Sequence, residues 1–552
     1  MLMLFSFTFI LIIVHNVSAI STGNVNTTDT VGFVAEDNQR DTISLLISCL
    51  ATLALCVYSA VHLNVPRNAE GYLKGLFREI QWCILGLFAP ELILYAAWRQ
   101  LASARQLYSE VEEAKRKKED SARTQEKTVV SRNHDQHHRS PWTIVHGFYG
   151  TMGGFALDID DTNFRNAVLF NGAKRLTLTA KGVALLAQCG HIPDISIDEI
   201  KDKNKADGLA KLLVCIQAGW MIIQVISRTA AGLPTTLLEV HVVAHVVCAL
   251  IMYMLWWHKP RQVTSPTILK GDWLPLTAYM YLASQMSGKV PQGKFAMFRF
   301  ATPELEKLAY FEAKTTRPED IDQVNHCDRA QSRGTGHLSI RPTIQNSEQA
   351  GEATLQDPET EASSELKRLA EEALLLYPIL QTHFAPAREG NISGTTYRVP
   401  YVTELLQTHA LDWPNDGLLR RTQSLIIGMV LWGASTVYGA IHVAAWDYFF
   451  PSKLEQLFWR LSSIWVTFCA AFWLITNLLA HVFPFIDKIW VAYNKRTLGW
   501  LSTVVISLLC ILCGISYIVS RAYIVVEAFV SIRNVPKGVY DTPAWSQVFP
   551  HL

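Results

Sequence analysis

Residues 237–257 read LLEVHVVAHVVCALIMYMLWW, an apolar run that ends on two tryptophans. At ~1.5 Å of helical rise per residue, about 20 apolar residues cross the hydrocarbon core of a bilayer. A helix suits that core because no water is present there to satisfy open backbone groups. Six further stretches have the same character: 43–63, 80–98, 209–227, 425–446, 461–483 and 498–519. The sequence therefore predicts an all-α membrane protein, a bundle of about seven transmembrane helices with two long polar, partly disordered loops.

Composition supports the lipid bilayer as the main partner of this chain. The net charge is only +1, which argues against binding nucleic acid. Tryptophans mark the ends of several spans, where aromatic rings with a polar edge favour the headgroup region. Eight of the ten cysteines fall inside the apolar stretches, so a disulfide framework is not expected.

The first 19 residues form a hydrophobic run that ends Val17-Ser18-Ala19. This pattern favours a signal peptide, although the absence of Lys and Arg before the run leaves an extra span as the alternative. Residues 20–42 are then a short luminal or extracellular segment in which Asn26 begins a glycosylation sequon. The predicted localisation is an integral membrane protein of the secretory pathway, in the plasma membrane or an endomembrane.

Membrane orientation conflicts with the count of seven. A cleaved signal followed by seven spans places the C-terminus inside, which leaves Lys488, Lys495 and Arg496 of a short loop outside, against the positive-inside rule. The span at 80–98 is the weakest of the seven because Pro90 and Glu91 lie near its middle.

The apolar stretches divide the chain into eight segments. They are a signal peptide (1–19), a luminal segment (20–42), a transmembrane hairpin (43–98), a polar loop (99–208), a second hairpin (209–258), a long loop (259–422), a three-helix transmembrane block (423–530) and a tail (531–552). The long loop is predicted to be partly disordered, with an amphipathic helix at 363–380.

A glycine- and aromatic-rich segment interrupts the first polar loop between Pro141 and Asp161. It is too short and too rich in glycine for a span, so it is predicted to lie in the interface or to form a re-entrant piece. Its glycines match neither a phosphate loop nor a dinucleotide fingerprint.

Glu91 is the leading candidate functional residue because an ionisable group within a span is costly and therefore functional by default. Pro90 removes a backbone donor and crowds the carbonyl of Gly86, so these two residues form a candidate helix break. A carboxylate beside freed carbonyls is typical of discontinuous transporter helices. The alternatives are a protonated or hydrogen-bonded structural Glu and a helix that lies in the membrane interface.

Histidines supply the other candidates. His241 and His245 are four residues apart and share a helix face, and His442 lies near one end of another span. Two ligands at this spacing do not make a zinc site, so no metal is predicted. Glu91, His245 and His442 would form one polar network if they met inside the bundle, whereas satisfied structural histidines are the alternative.

No nucleophile elbow, kinase set or Walker motif occurs in the sequence, so neither an enzyme nor a cofactor is predicted.

Eight segments carry a resemblance to known proteins: 89–92, 146–155, 176–179 with Gly182, 202–211, 232–234 with 238–239, 256–260, 438–442 and 549–552. Through them the chain resembles a family of uncharacterised fungal multi-pass integral membrane proteins. The resemblance implies fungal origin and membrane residence, and it implies no activity, substrate or catalytic residue.

Three functions remain open at this point. The break at Pro90-Glu91 with the buried histidines favours a transport or channel-like role. Loop 259–422 favours a membrane scaffold that recruits unknown protein partners. The count of seven spans favours a receptor or sensor.

Overall fold

The computed structural model describes residues 29–35, 40–66, 71–126, 141–158, 175–203, 208–271, 273–284, 358–380, 405–413, 424–494 and 497–541. The predicted signal peptide, Asn26 and most of the predicted disordered stretch lie outside these residues.

The described chain is mostly helical. In chain order the helices are α1 (Thr42–Ala60), α2 (Tyr72–Phe88), α3 (Pro90–Glu126), α4 (Ile144–Thr151), α5 (Ala180–Gln188), α6 (Ile197–Asp202), α7 (Gly208–Ala230), α8 (Leu237–Leu255), α9 (Leu274–Ala283), α10 (Pro358–Leu376), α11 (Ser424–Val443), α12 (Lys453–Val482), α13 (Pro484–Asn494) and α14 (Trp500–Val530). The strands are β1 (Thr30–Val31), β2 (Phe155–Asp158), β3 (Arg175–Leu178), β4 (Thr267–Leu269), β5 (Leu406–Gln407) and β6 (Val535–Pro536).

The chain forms two compact units. Unit 1 comprises Met1–Ser103, Asp198–Thr264 and Arg420–Leu552, and unit 2 comprises Ala104–Ile197 and Ser265–Leu419.

By length and composition, four helices are able to cross a membrane: α1, α8, α12 and the stretch Trp500–Arg533 that contains α14. A fifth crossing is reached if α2 and the first part of α3 count as one span, although these two helices are bent by 112°. Among the described residues, the predicted set of seven spans is therefore not confirmed. The stretches 209–227 and 425–446 are helical, as α7 and α11, but they are not among the candidates.

Local sequence sets the helix ends in unit 1. Asp41 caps α1 by accepting from the backbone N–H of Ser44 at 2.8 Å, and Thr236 caps α8 in the same way through Glu239 at 3.2 Å. Close packing joins α11 to α12, because a Cβ at Gly439 would overlap the backbone of Thr467. Small residues therefore let these two helices approach each other closely.

Unit 2 corrects the all-α prediction and the description of its segments as loops. It contains a four-stranded sheet in the order β4-β2-β3-β5, in which β2 pairs parallel with β4 and the other pairs are antiparallel. Its strands are two to four residues long, too short to produce a visible alternation in the sequence. Helix α10, which overlaps the predicted amphipathic helix, buries Leu366, Leu369 and Ala373 and packs against α9.

The glycine-rich segment forms α4 and β2, and most of its residues are buried in unit 2. Its glycines allow close packing, because a Cβ at Gly147 would overlap the carbonyl oxygen of Ala104. His146 on α4 lies 2.9 Å from the carbonyl oxygen of Ile195 and accepts from the backbone N–H of Thr143 at 3.0 Å. Burial lowers the pKa of His146 below its ordinary range.

Candidate functional site

The candidate site begins at the break between α2 and α3. Ala89 is the single non-helical residue there, with φ −147° and ψ 66°, and Pro90 starts α3. Proline at the first helical position ends the backbone ladder, so the last carbonyls of α2 have no partner within their own helix.

Side chains from two other helices satisfy those carbonyls. His245 of α8 brings its Nε2 to 2.9 Å from the carbonyl oxygen of Leu87. Arg521 of α14 donates from Nε to the carbonyl oxygen of Phe88 at 3.0 Å. The end of α2 is therefore held inside unit 1 by one helix on each side.

Glu91, the first acidic residue of α3, forms a buried ion pair at the same place. Arg521 donates from Nη2 to Glu91 Oε2 at 2.8 Å, and the two side chains are 5% and 4% exposed. Tyr517 donates to the other carboxylate oxygen at 3.2 Å, and its hydroxyl lies 2.6 Å from that of Ser435. The guanidinium also lies over the ring of Tyr438, with Cζ 3.8 Å from the ring centroid.

Three buried histidines extend this group. His442 places Nδ1 at 2.8 Å from the carbonyl oxygen of Tyr438, and its Nε2 lies 3.1 Å from Nδ1 of His241. His245 places Nδ1 at 3.0 Å from the carbonyl oxygen of His241. We call Glu91, Tyr438, Tyr517, Arg521 and the histidines 241, 245 and 442 the tip cluster.

Hydrogen-bond directions define the tautomers of two histidines. A carbonyl only accepts, so His442 carries its proton on Nδ1, and in the neutral ring Nε2 accepts from His241 Nδ1. His241 Nε2 is then an acceptor, and it has no hydrogen-bond partner among the described residues. Arg521 Nη1 is a donor that likewise has no hydrogen-bond partner among the described residues. The tip cluster therefore retains one open donor and one open acceptor, which native interiors rarely leave.

No group of three or more His, Cys, Asp and Glu side chains in the described chain is arranged to hold a metal ion. The tip cluster is accordingly a network of hydrogen bonds and one ion pair.

A second polar site lies where α1 and α8 end. Lys259 is 1% exposed, and its ammonium donates to Asn64 Oδ1 at 2.9 Å, to Gln100 Oε1 at 2.7 Å and to the carbonyl oxygen of His62. The ammonium also lies 4.9 Å from the ring centroid of Trp256. We call His62, Asn64, Gln100, Trp256 and Lys259 the cage.

A third polar site lies where α1 and α8 begin. Arg40 pairs with Glu239 at 2.7 Å and donates to the carbonyl oxygen of Val539, and β1 pairs with β6. Arg228, at the end of α7, donates to the carbonyl oxygens of Asp541, Val539 and Pro234 at 2.7–2.8 Å. We call Arg40, Arg228, Glu239, β1 and β6 the clasp, which ties the two ends of the described chain together.

The structure thus brings several candidates from the sequence into one region. Glu91 and His245 meet at the break formed beside Pro90, and His442 joins through His241. Gly86 packs tightly at this break, because a Cβ there would lie 3.0 Å from Ile93 and Val57. Sequence analysis missed Arg521, Tyr517 and Tyr438. The apolar residues on both sides of Arg521 were the available signal that its helix continues.

The fold and the tip cluster define a largely helical protein with apolar helices long enough to cross a membrane and a buried ion pair between them. The chain belongs to a family described as Family of unknown function (DUF8562), whose profile matches residues 5–347 and 392–552. No curated protein and no solved structure matches the chain.

Proposed function

We propose that the protein is a polytopic membrane transporter for a small polar solute or ion, and that the break between α2 and α3 forms part of its pathway. The observation that carries the proposal is the tip cluster. A broken helix ends among two opposite charges and three histidines inside an apolar unit, and ionisable groups in that environment mark solute and ion pathways.

We infer a path of six crossings, which adds α7 and α11 to the four candidate spans. The clasp lies at the start of α1, the end of α7 and the start of α8. The cage residues Asn64 and Lys259 come just after the ends of α1 and α8. Helix α7, 23 residues long, runs antiparallel to α8, so its start is distant from the clasp. These three helices therefore cross once each between the clasp end and the cage end of unit 1.

The remaining three crossings follow from contacts near the clasp end. His442, close to the end of α11, meets His241, close to the start of α8. Glu455, at the start of α12, pairs with Arg533, just after α14. On this path, α11 runs toward the clasp end, α12 runs away from it and α14 runs back toward it. With six crossings, β1 and β6 lie on one side, in agreement with their pairing.

In this arrangement α2 and α3 form a re-entrant pair that adds no crossing. Gln100 of α3 lies in the cage, while Leu87 and Glu91 lie in the tip cluster beside mid-helix residues of α8 and α14. The pair therefore enters from the cage end, turns at Ala89 and returns to the cage end. Because this path counts no full span at 80–98, it avoids the conflict between seven spans and the positive-inside rule.

Basic residues between the helices support an orientation for this path. In the sequence, Arg67 lies between α1 and α2, and Lys488, Lys495 and Arg496 lie between α12 and α14, whereas 231–236 and 444–452 contain no Lys or Arg. By the positive-inside rule we propose that the cage end is cytosolic. Asn26 would then face the lumen or the exterior, where its sequon is available for glycosylation.

Glycosylation mapping tests this path. We expect glycan addition at Asn26 and at a sequon placed after Leu552, and none at sequons placed in 127–140 or after Arg496. Glycans are read as a glycosidase-sensitive shift in gel mobility. Modification at only one of the two chain ends would require an odd number of crossings and would overturn the path.

Reconstituted vesicles test transport itself. We expect the purified protein to pass at least one of H⁺, Na⁺, K⁺ or Cl⁻, measured with indicators trapped in the vesicles, and Glu91→Gln to reduce that flux at least about tenfold, because it removes the charge paired with Arg521. Glu79→Gln, on α2 but outside the tip cluster, is the matched control. Equal flux through the wild type and Glu91→Gln would remove the proposal.

The alternative, a scaffold, gains support from one observation: the described parts of 265–419 belong to a folded unit with its own sheet. On this proposal unit 2 binds a protein partner. Deleting 285–357 with full retention of growth and of co-purifying proteins would count against binding through that part of the chain.

A further inference from the structure

The cage presents oxygen atoms around a single cation. Its three acceptors come from two parts of the chain: His62 and Asn64 after α1, and Gln100 on α3. Lys259 reaches them from the segment that follows α8. Three ammonium hydrogens meet three oxygens, so the donors and the acceptors of these contacts match.

Neighbouring donors orient these oxygens toward the ammonium. Trp256 donates from Nε1 to Gln100 Oε1 at 3.1 Å, which fixes which end of the amide faces Lys259. Gln100 Nε2 points to Asn64 Oδ1 at 3.5 Å and thus turns its own oxygen away from Asn64. The face of the Trp256 ring, which is the negative side of its quadrupole, also attracts the ammonium of Lys259.

We propose that His62 O, Asn64 Oδ1 and Gln100 Oε1 form a binding site for a monovalent cation, and that the protein fills this site with its own Lys259. Converging carbonyl and amide oxygens are the ligands that hard cations and ammonium ions share. The site joins α3 to the segments that follow α1 and α8. A cation in the site therefore fixes the position of α3 relative to these two helices. This inference does not depend on the proposed transport.

Chemical rescue tests the site in the full-length protein purified in detergent. Lys259→Ala opens space for a small cation, and we expect its thermal midpoint to fall by about 5 °C. Ethylammonium chloride at about 100 mM should restore at least half of that loss, since a ligand that binds only the folded state raises stability. Tetramethylammonium chloride, which has no N–H donor, controls for ionic strength.

Lys259→Met is the matched variant, because its side chain occupies the space without supplying charge or donors. We expect it to lower the midpoint and to show no response to ethylammonium. An equal response of Lys259→Ala to ethylammonium and to tetramethylammonium, or no response to either, would overturn the proposal.

A second substitution keeps the test decisive if Lys259→Ala does not fold. Asn64→Asp places a carboxylate against the ammonium, so we expect it to raise the midpoint of the wild type and to lower that of Lys259→Met. An effect of the same sign in both backgrounds would contradict a cation site at these oxygens.

Discussion

The tip cluster and the cage both hold α3, but they do so with different chemistry. In the cage, one ammonium meets three oxygens, and the donors match the acceptors. In the tip cluster, an ion pair closes the break while Arg521 Nη1 and His241 Nε2 stay open. The cage is therefore held by donor contacts to one ammonium, whereas the tip cluster is held by a buried ion pair and the hydrogen bonds around it.

The largest expected effect tests the ion pair of the tip cluster. Arg521→Met leaves the Glu91 carboxylate buried without its cation, so we expect the free energy of unfolding to fall by about 3–5 kcal/mol. Arg460→Met, which breaks the more exposed pair with Asp447, should cost at most about 1 kcal/mol. Denaturant unfolding in detergent measures both. Similar losses in the two variants would show that burial does not increase the contribution of the ion pair between Glu91 and Arg521 to stability.

The next effect tests whether the two sites act independently. Lys259→Met should lower the free energy of unfolding by about 1–3 kcal/mol, because it removes the ammonium that donates to the three cage oxygens. Glu91 and Gln100 are nine residues apart on α3, about 13 Å along the axis. In the double variant with Lys259→Met and Arg521→Met, the two losses of unfolding free energy should therefore add to within about 0.5 kcal/mol. Strong coupling would mean that the tip cluster and the cage form one cooperative element.

The smallest expected effect concerns His146 of unit 2, a buried histidine outside the tip cluster. His146 in unit 2 has partners on both ring nitrogens, and burial lowers its pKa below the ordinary value of 6.5. Its contribution to stability is therefore complete above pH 6.5 and is lost as the pH falls through the lowered pKa. We expect the thermal midpoint of the protein to decrease between pH 7 and pH 5, and less so in His146→Gln, as measured by calorimetry in detergent. Equal pH slopes in both proteins would contradict this.

Sequence patterns were informative where one feature dominates a long window. Apolar length predicted helices, and the cost of a carboxylate in a span directed attention to Glu91. Arg521 was missed because the predicted span stopped at Val519, whereas α14 continues to Val530. The pairing of Glu91 with Arg521 joins positions 430 residues apart, and no local pattern contains such a contact.

Unit 2 shows the opposite case. Its core strands are too short for a periodic signal, and its polar surface made the segments resemble loops. The glycines at 147–154 are there for close packing with neighbours such as Ala104, a reason that becomes visible only once those neighbours are placed.

The clasp has a consequence for how the protein is made. Arg40 and the carbonyl oxygen of Val539 are separated by 499 residues, so a ribosome that adds about 5–20 residues per second needs roughly 25–100 s between them. During that interval Arg40 and Glu239 have been synthesised but the C-terminal segment has not. The newly made chain must wait in a partly assembled state, and a truncation before Val535 would remove the contacts that complete its assembly.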